Sequence, residues 1–466
     1  FDALQGAFVA PRRFHTKRRE RKEGRGDPSL RHSVKLNLGS VSAIVATKMN
    51  AMCTLLLLSL FSAYAVGLLT GSNMWDSQFA SLDKVIKLAA IAAAGAYLFG
   101  RRNAPRIPRD LWLYMCAGLF IFAGFLLQYL GFEQQDGRIL FQVEKELIRL
   151  ATILALFFLC VAVARDCRNY SVFLYSFSAF GLVIALLAIN SALAGETDQA
   201  WDYVDDYLRA GSGTTDANYI GAVLNIGSLA AIASLLVEKS RLLSVFLFVG
   251  VLVMQAGRFA TFSSGSAVSM VVTVGVVTYL LFKQHRIEAV RKLWIALAVM
   301  AAVLAVVIEG AGLWDTVFYR LQLSDETVKL SSIDSRLGQY EQYLGYVKED
   351  PGYLFFGIGI TNAYSLSTGK QLHNSFLRPL AVAGFVPFFC FILLWWRCVR
   401  DFQRAIAASG RHSDLQLVAV VFFSSFIGWS VQAATLPADT STVQWFFFIL
   451  GYLLRNSAES RTASRN

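Results

Sequence analysis

The chain has 466 residues, of which 55% are hydrophobic, 13% aromatic and only 16% charged, against about 25% charged in an ordinary soluble domain. With a mean hydropathy of +0.49, that balance excludes a soluble globular enzyme. The net charge of +11 is unevenly spread: residues 1–48 hold 11 Lys and Arg against 4 Asp and Glu, a surplus of +7, and the remainder carries +4.

The basic tail, with Arg12, Arg13, Lys17, Arg18 and Arg19 among its cations, has a composition suited to nucleic acid or anionic lipid. It holds no methionine, and Met49 stands directly before the first apolar run, so residues 1–48 are expected not to be native and are set aside from the fold. No nucleic-acid partner is expected. From Met49 onward, apolar runs of about 20 residues recur about twelve times, each long enough at ~1.5 Å rise per residue to cross a hydrocarbon core ~30 Å thick. They predict an all-α polytopic membrane protein, a single transmembrane domain over 49–466, with spans near 51–71, 84–100, 111–131, 147–165, 171–194, 218–238, 241–256, 261–282, 293–312, 374–396, 415–434 and 442–454.

Alternate connections are basic, among them Arg101, Arg102, Arg106 and Arg109, then Lys283, Arg286, Arg291 and Lys292, then Arg397, Arg400, Arg404 and Arg411. The connection with Glu196, Asp198, Asp202, Asp205, Asp206 and Asp216 is acidic. By the positive-inside rule both termini are then cytoplasmic, and two long connections, 195–217 and 313–372, lie outside. Loops of that length in a compact protein are functional or disordered. The second has helical apolar spacing at Leu337, Tyr340, Tyr343, Leu344, Tyr346 and Val347 and is expected to fold. Of the six cysteines, five fall in or beside apolar runs and Cys167 in a short basic loop, which reads as unpaired thiols.

Of five histidines only His373 falls on the outer side, in Gln371-Leu372-His373-Asn374-Ser375-Phe376 at the mouth of the tenth span. Arg258 follows the seventh span, Arg336 opens the helical stretch of the long loop, and Arg209 precedes the sixth span. Each has a bland reading: a backbone-satisfied interfacial histidine, an arginine snorkelling to headgroups, a solvated helix face. Together they put guanidinium forks able to grip phosphate near an imidazole able to take a proton from a hydroxyl. That combination suits displacement of a diphosphate-linked group by an alcohol. Asp205 and Asp206 read as solvated rather than chelating, so neither a metal nor another cofactor is expected.

The segment Asp334-Ser335-Arg336-Leu337-Gly338-Gln339-Tyr340, then Asp350-Pro351-Gly352 through Gly357-Ile358-Gly359, then His373-Asn374-Ser375-Phe376-Leu377 and Gly384, resembles the signature region of the bacterial O-antigen ligase and polymerase superfamily. In that pattern an arginine begins a loop helix, Pro and Gly-x-Gly follow, and a His-Asn pair opens the next span. Arg258 and Asp216-Ala217-Asn218 after Arg209 fit it as well. The resemblance implies an inner-membrane glycosyltransferase with its site at the periplasmic face, taking a glycan from undecaprenyl diphosphate. Carried over, Arg258 and Arg336 bind the diphosphate, His373 activates or positions the acceptor hydroxyl, and Arg209, Asn374 and Arg378 stand as supporting positions. Around Arg258 the chain has Gly257 and Phe259, where the family often has Ser and Gly.

Transfer to a lipid A-core sugar is the leading reading, and polymerisation onto a second carrier-linked glycan the alternative. The fifteen residues between Arg336 and Gly352 resemble an arginine-to-glycine spacing of polymerase loops. The copy expected after Arg209 is imperfect, with Asn225 at the matching position and Gly227 two residues late. A flippase or other transporter is the third reading. Transporters place ionisable groups near the bilayer midplane, whereas here such groups gather at span edges.

Overall fold

The computed structural model describes residues 51–70, 80–99, 112–130, 147–148, 150–160, 170–193, 217–261, 263–310, 312, 314, 326–359, 374–410, 413–434 and 442–463. The tail 1–48, the connection at 195–216 and much of the 313–372 loop lie outside them. The described residues are almost all helical, with no strand among them, and they belong to one compact unit, Ala46–Asn466.

In chain order the helices are α1 (Ser62–Thr70), α2 (Ala80–Phe99), α3 (Trp112–Leu130), α4 (Leu150–Cys160), α5 (Tyr170–Leu193), α6 (Ala217–Val237), α7 (Arg241–Ala260), α8 (Ser264–Lys283), α9 (Ile287–Gly310), α10 (Glu326–Glu349), α11 (Gly352–Phe356), α12 (Arg378–Ala383), α13 (Phe385–Ala408), α14 (Asp414–Ala433) and α15 (Thr442–Ala463). Six of them, α5 to α9 and α14, are long and apolar enough to cross a membrane. They fall on expected spans.

Two boundaries differ from expectation in ways that matter for the site. The span expected at 241–256 continues as helix to Ala260, so Arg258 sits in a last helical turn rather than in a connection. The span expected at 374–396 is broken. Asn374 opens a turn, α12 follows as a short helix, and Gly384 at φ 87° separates it from α13, which runs on to Ala408 through the basic stretch expected to be a loop.

The central helices are α6, buried over 83% of its apolar window, and α14, buried over 78%; α9 is peripheral, with 12%. Without a hydrophobic drive between helices in lipid, close backbone approach at small residues supplies packing. A Cβ on Gly181 of α5 would meet the Gly227 Cα of α6 at 2.8 Å, and one on Gly257 of α7 would meet the Ala185 Cα of α5 at 2.8 Å. The run Ser263-Ser264-Gly265-Ser266-Ala267 serves the same end, since a Cβ on Gly221 of α6 would meet the Ser266 Cβ at 2.7 Å. An aromatic cluster then joins α14 and α15 to α5, with Phe446 at 4.8 Å from Phe177 and Phe447 at 5.5 Å from Phe426.

Short turns make successive helices antiparallel, so connections alternate between the two ends of the bundle. The 238–240 and 284–286 turns share one end with Ser413, whose carbonyl accepts from Arg286 Nη2 at 2.8 Å. The start of α6, the α7–α8 turn and the end of α14 share the other.

Candidate functional site

At that second end, the α7–α8 turn is fixed by its own hydroxyls. Thr261 donates from both N and Oγ1 to the Arg258 carbonyl, at 3.1 and 2.7 Å, ending α7 one turn after the arginine. Ser263, with extended backbone at φ −81° and ψ 104°, caps α8 by accepting from Ser266 N at 3.1 Å. Its hydroxyl proton goes to Asn218 Oδ1 at 2.7 Å. Asn218 in turn offers its carbonyl to Gln432 Nε2 at 3.1 Å, which brings in the last turn of α14. One residue on, the Ala433 carbonyl accepts from Ser375 N at 3.0 Å. Four segments distant in sequence are thus joined at one end.

Asn374 organises the segment that opens α12. Its Oδ1 accepts from Phe376 N at 2.9 Å and Leu377 N at 3.1 Å, an Asx-type cap. Only its Nδ2 can then face Tyr340, to whose hydroxyl oxygen it donates at 3.2 Å. Tyr340 lies on α10, so the loop helix is tied to the turn that begins after His373. The Asn374 carbonyl accepts from Arg378 N at 2.9 Å, and the Arg378 side chain is buried with 1% exposure.

A second tie holds the loop. Asp350 caps the turn into α11, its Oδ1 accepting from Gly352 N at 2.7 Å. Beyond α11 the Ile358 N–H donates to the Ala381 carbonyl at 2.7 Å. This contact needs bare backbone on both sides. Gly357 at φ 78° would drive a Cβ into the Val382 carbonyl, and Gly384 would drive one into the Phe355 carbonyl. Left-handed backbone and zero clearance explain why glycine stands at both positions. Gly357 of the Gly-x-Gly motif and Gly384 therefore let the loop dock against α12.

The sequence-derived candidates are placed as follows. Arg258 is half-buried; its Nε has no hydrogen-bond partner among the described residues, and its Cζ lies 5.3 Å above the Phe259 ring. Arg336 is on α10, seven residues before Tyr343 and four before Tyr340. Asn374 and Arg378 are joined to each other and, through Tyr340, to the helix of Arg336. His373 and Arg209 lie outside the described residues. On α10 Tyr343 is buried and Tyr340, Tyr346 and Val347 are half-buried, but Leu344 is 54% exposed, so the stripe follows the tyrosines and not the whole expected set. Burial pushes the Tyr343 phenol up to about 12.

Sequence reasoning did not single out Asn218, Ser263, Tyr340 or Gln432 as bridging groups. Asn218 and Tyr340 stand inside the quoted motifs, but no local pattern reveals that an amide 214 residues away completes the cluster. Asn225, read as a broken motif position, belongs to helix packing, donating from Nδ2 to the Ser266 carbonyl at 3.0 Å. No group of three or more His, Cys, Asp or Glu able to hold a metal ion occurs among the described residues. The five described cysteines are free thiols.

Residues 249–392 match the family model described as O-Antigen ligase, Wzy_C. The matched stretch runs from the later half of α7 into α13 and includes Arg258, Arg336, His373, Asn374 and Arg378, while Arg209 precedes it. The match supports the O-antigen ligase and polymerase superfamily to which the sequence motifs point, and six helices of the chain are long and apolar enough to cross a membrane. No curated protein matches the chain.

Proposed function

We propose that this chain is an O-antigen ligase-type glycosyltransferase of the bacterial inner membrane, moving a polysaccharide from undecaprenyl diphosphate to a lipid A-core sugar at the periplasmic face. Twelve spans with both termini cytoplasmic accompany that reading. The supporting observation is the gathering, at one end of the bundle and inside the matched stretch, of the turn bearing Arg258, the helix bearing Arg336 and the turn opened by Asn374.

Arg258 and Arg336 hold the two phosphates, with Arg209 and Arg378 supporting. The acceptor oxygen attacks the anomeric carbon, the bond from that carbon to the phosphate oxygen breaks, and undecaprenyl diphosphate leaves carrying the negative charge. His373 takes the proton of the acceptor hydroxyl or orients that hydroxyl for attack. Asn374 fixes the turn next to it. Arginines neutralise the leaving group, so transfer proceeds without a metal or other cofactor and survives EDTA; loss of activity in EDTA, restored by magnesium or manganese, would overturn that part.

The polymerase reading keeps one specific support, the Arg336-to-Gly352 spacing. Purified protein incubated with undecaprenyl-diphosphate glycan, with or without lipid A-core, separates the two. Consumption of lipid A-core supports the ligase, and chain extension from donor alone supports the polymerase.

A further inference from the structure

Helix α10 carries three tyrosines at helical spacing, and two have evident work. The Tyr340 oxygen accepts from Asn374, and the Tyr346 ring stands edge-on to Tyr353 at 6.3 Å. Tyr343 is different. It is 6% exposed, packed within the hydrophobic core, and its hydroxyl oxygen, shut off from solvent, has no hydrogen-bond partner among the described residues. Native interiors rarely leave such a group, because burying a hydroxyl without a partner opposes folding. Phenylalanine would fill the same space without that penalty.

We propose that the Tyr343 hydroxyl is a substrate-binding group, donating a hydrogen bond to an acceptor oxygen of the lipid-linked diphosphate glycan. The inference rests on the functional reading above and adds a contact that reading does not contain. Three observations converge on it. Tyr343 lies three residues after Tyr340, hence on the same side of α10 as the residue that ties this helix to the Asn374 turn. It lies seven residues after Arg336, two turns and ~10 Å further along the same helix, a distance on the scale of a diphosphate with its first sugar. The phenol, pushed up to about 12 by burial, is protonated throughout the physiological range and carries a proton to donate there. A phosphoryl or sugar oxygen is the partner that such a donor lacks.

The test uses the full-length protein in lipid nanodiscs with Tyr343→Phe, which removes one oxygen, and Tyr346→Phe as the matched control. The measurements are thermal midpoint, kcat and KM for undecaprenyl-diphosphate glycan, and direct binding of that donor and of glycan-free undecaprenyl diphosphate. The expected result is a Tyr343→Phe protein with an unchanged or higher midpoint and donor affinity weaker by about tenfold, while Tyr346→Phe binds as wild type. Weaker binding of glycan-free undecaprenyl diphosphate assigns the contact to a phosphoryl oxygen; a loss confined to the glycan-bearing donor assigns it to a sugar. Wild-type affinity for both ligands in a folded Tyr343→Phe protein overturns the proposal. A wild-type protein that binds donor but transfers it to neither acceptor defeats the functional reading instead, and the binding comparison still decides the tyrosine.

Discussion

The two ends of the bundle handle buried polar groups in opposite ways. At the end with the 238–240 turn, a buried carboxylate is neutralised inside the protein. Asp401, fully buried on α13, is held by Arg455 of α15 at 2.8 Å and by Arg397 at 3.3 Å, while Arg286 bonds the neutral Ser413 carbonyl and Gln416. At the other end amides and hydroxyls bond to one another from Asn218 through Ser263 and Gln432 to Asn374 and Tyr340. There the half-buried Arg258 has no carboxylate partner among the described residues. A buried charge persists where it is paired. Paired cations serve the fold, and in the function proposed above Arg258, partly desolvated and without a carboxylate partner among the described residues, is held for an anion from outside.

The largest effect expected from that contrast is on turnover. His373→Ala should lower transfer by ~100- to 10,000-fold, with membrane insertion, thermal midpoint and donor binding intact. Transfer assays at matched protein amounts check it, and wild-type turnover removes the histidine from the mechanism.

At the opposite end the same kind of change should strike stability alone. Asp401→Asn leaves the Arg455 guanidinium, 2% exposed, with only the longer 3.8 Å pair to the half-exposed Glu459, a loss of about 3 kcal/mol. The readout is a lowered thermal midpoint with near-normal kcat per folded molecule. Adding Arg455→Met should recover much of the midpoint, because an apolar side chain needs no partner. A full-strength midpoint for Asp401→Asn would mean that the triad contributes nothing to holding α15 against α13.

A smaller effect sharpens the roles proposed for Arg258 and Arg336. Arg258→Lys and Arg336→Lys keep the charge but lose the planar fork, so each should impair transfer by about 10- to 100-fold, nearly as much as alanine. An arginine that only snorkels to headgroups would tolerate lysine, which has the same long stem and a cationic head. Near-normal rates for both would leave the diphosphate without its proposed grip. Arg336 should be the more sensitive, since the residues around it fit the family motif better than Gly257 and Phe259 fit beside Arg258.

Much of this was legible in the sequence because apolar runs and charge edges are local signals. The runs from Ser171 to Lys283 mark four helices nearly to their ends, whereas the break at Gly384 inside the span expected at 374–396 was not read. What could not be read is long-range. Nothing near Gly357 says that its missing side chain makes room for the Val382 carbonyl, and nothing near Tyr340 names Asn374 as its partner. Leu344 failed for a related reason: periodicity finds a helix, but only its neighbours determine which edge of the stripe is covered. The helix of Arg258 ran longer than its apolar run because Thr261, a polar residue, closes its last turn.

The smallest effect belongs to the charge-paired end and tests whether its hydrogen bonds to a lone carboxylate share the stabilising role of its ion pairs. Tyr175 of α5 donates to Glu238 Oε2 at 2.5 Å, and the amides of Lys239 and Ser240 donate to Oε1 at 2.8 Å each. The tyrosine hydroxyl is the main cause holding the Glu238 carboxyl below its ordinary 4.5, with the amides adding to it. A carboxylate whose pKa is depressed by folding contributes stability that is present above its unfolded value and lost as pH falls through its folded one. Tyr175→Phe removes the largest cause, so the folded pKa rises back toward 4.5 and that increment shrinks. The variant should melt slightly below wild type at neutral pH, and the gap should close as the buffer is taken below the ordinary carboxylate range. A gap that stays constant from neutral to acid would trace the loss to packing of the tyrosine, and no gap at any pH would mean that the α5–α6 contact is held by its close Gly181–Gly227 approach without help from the carboxylate.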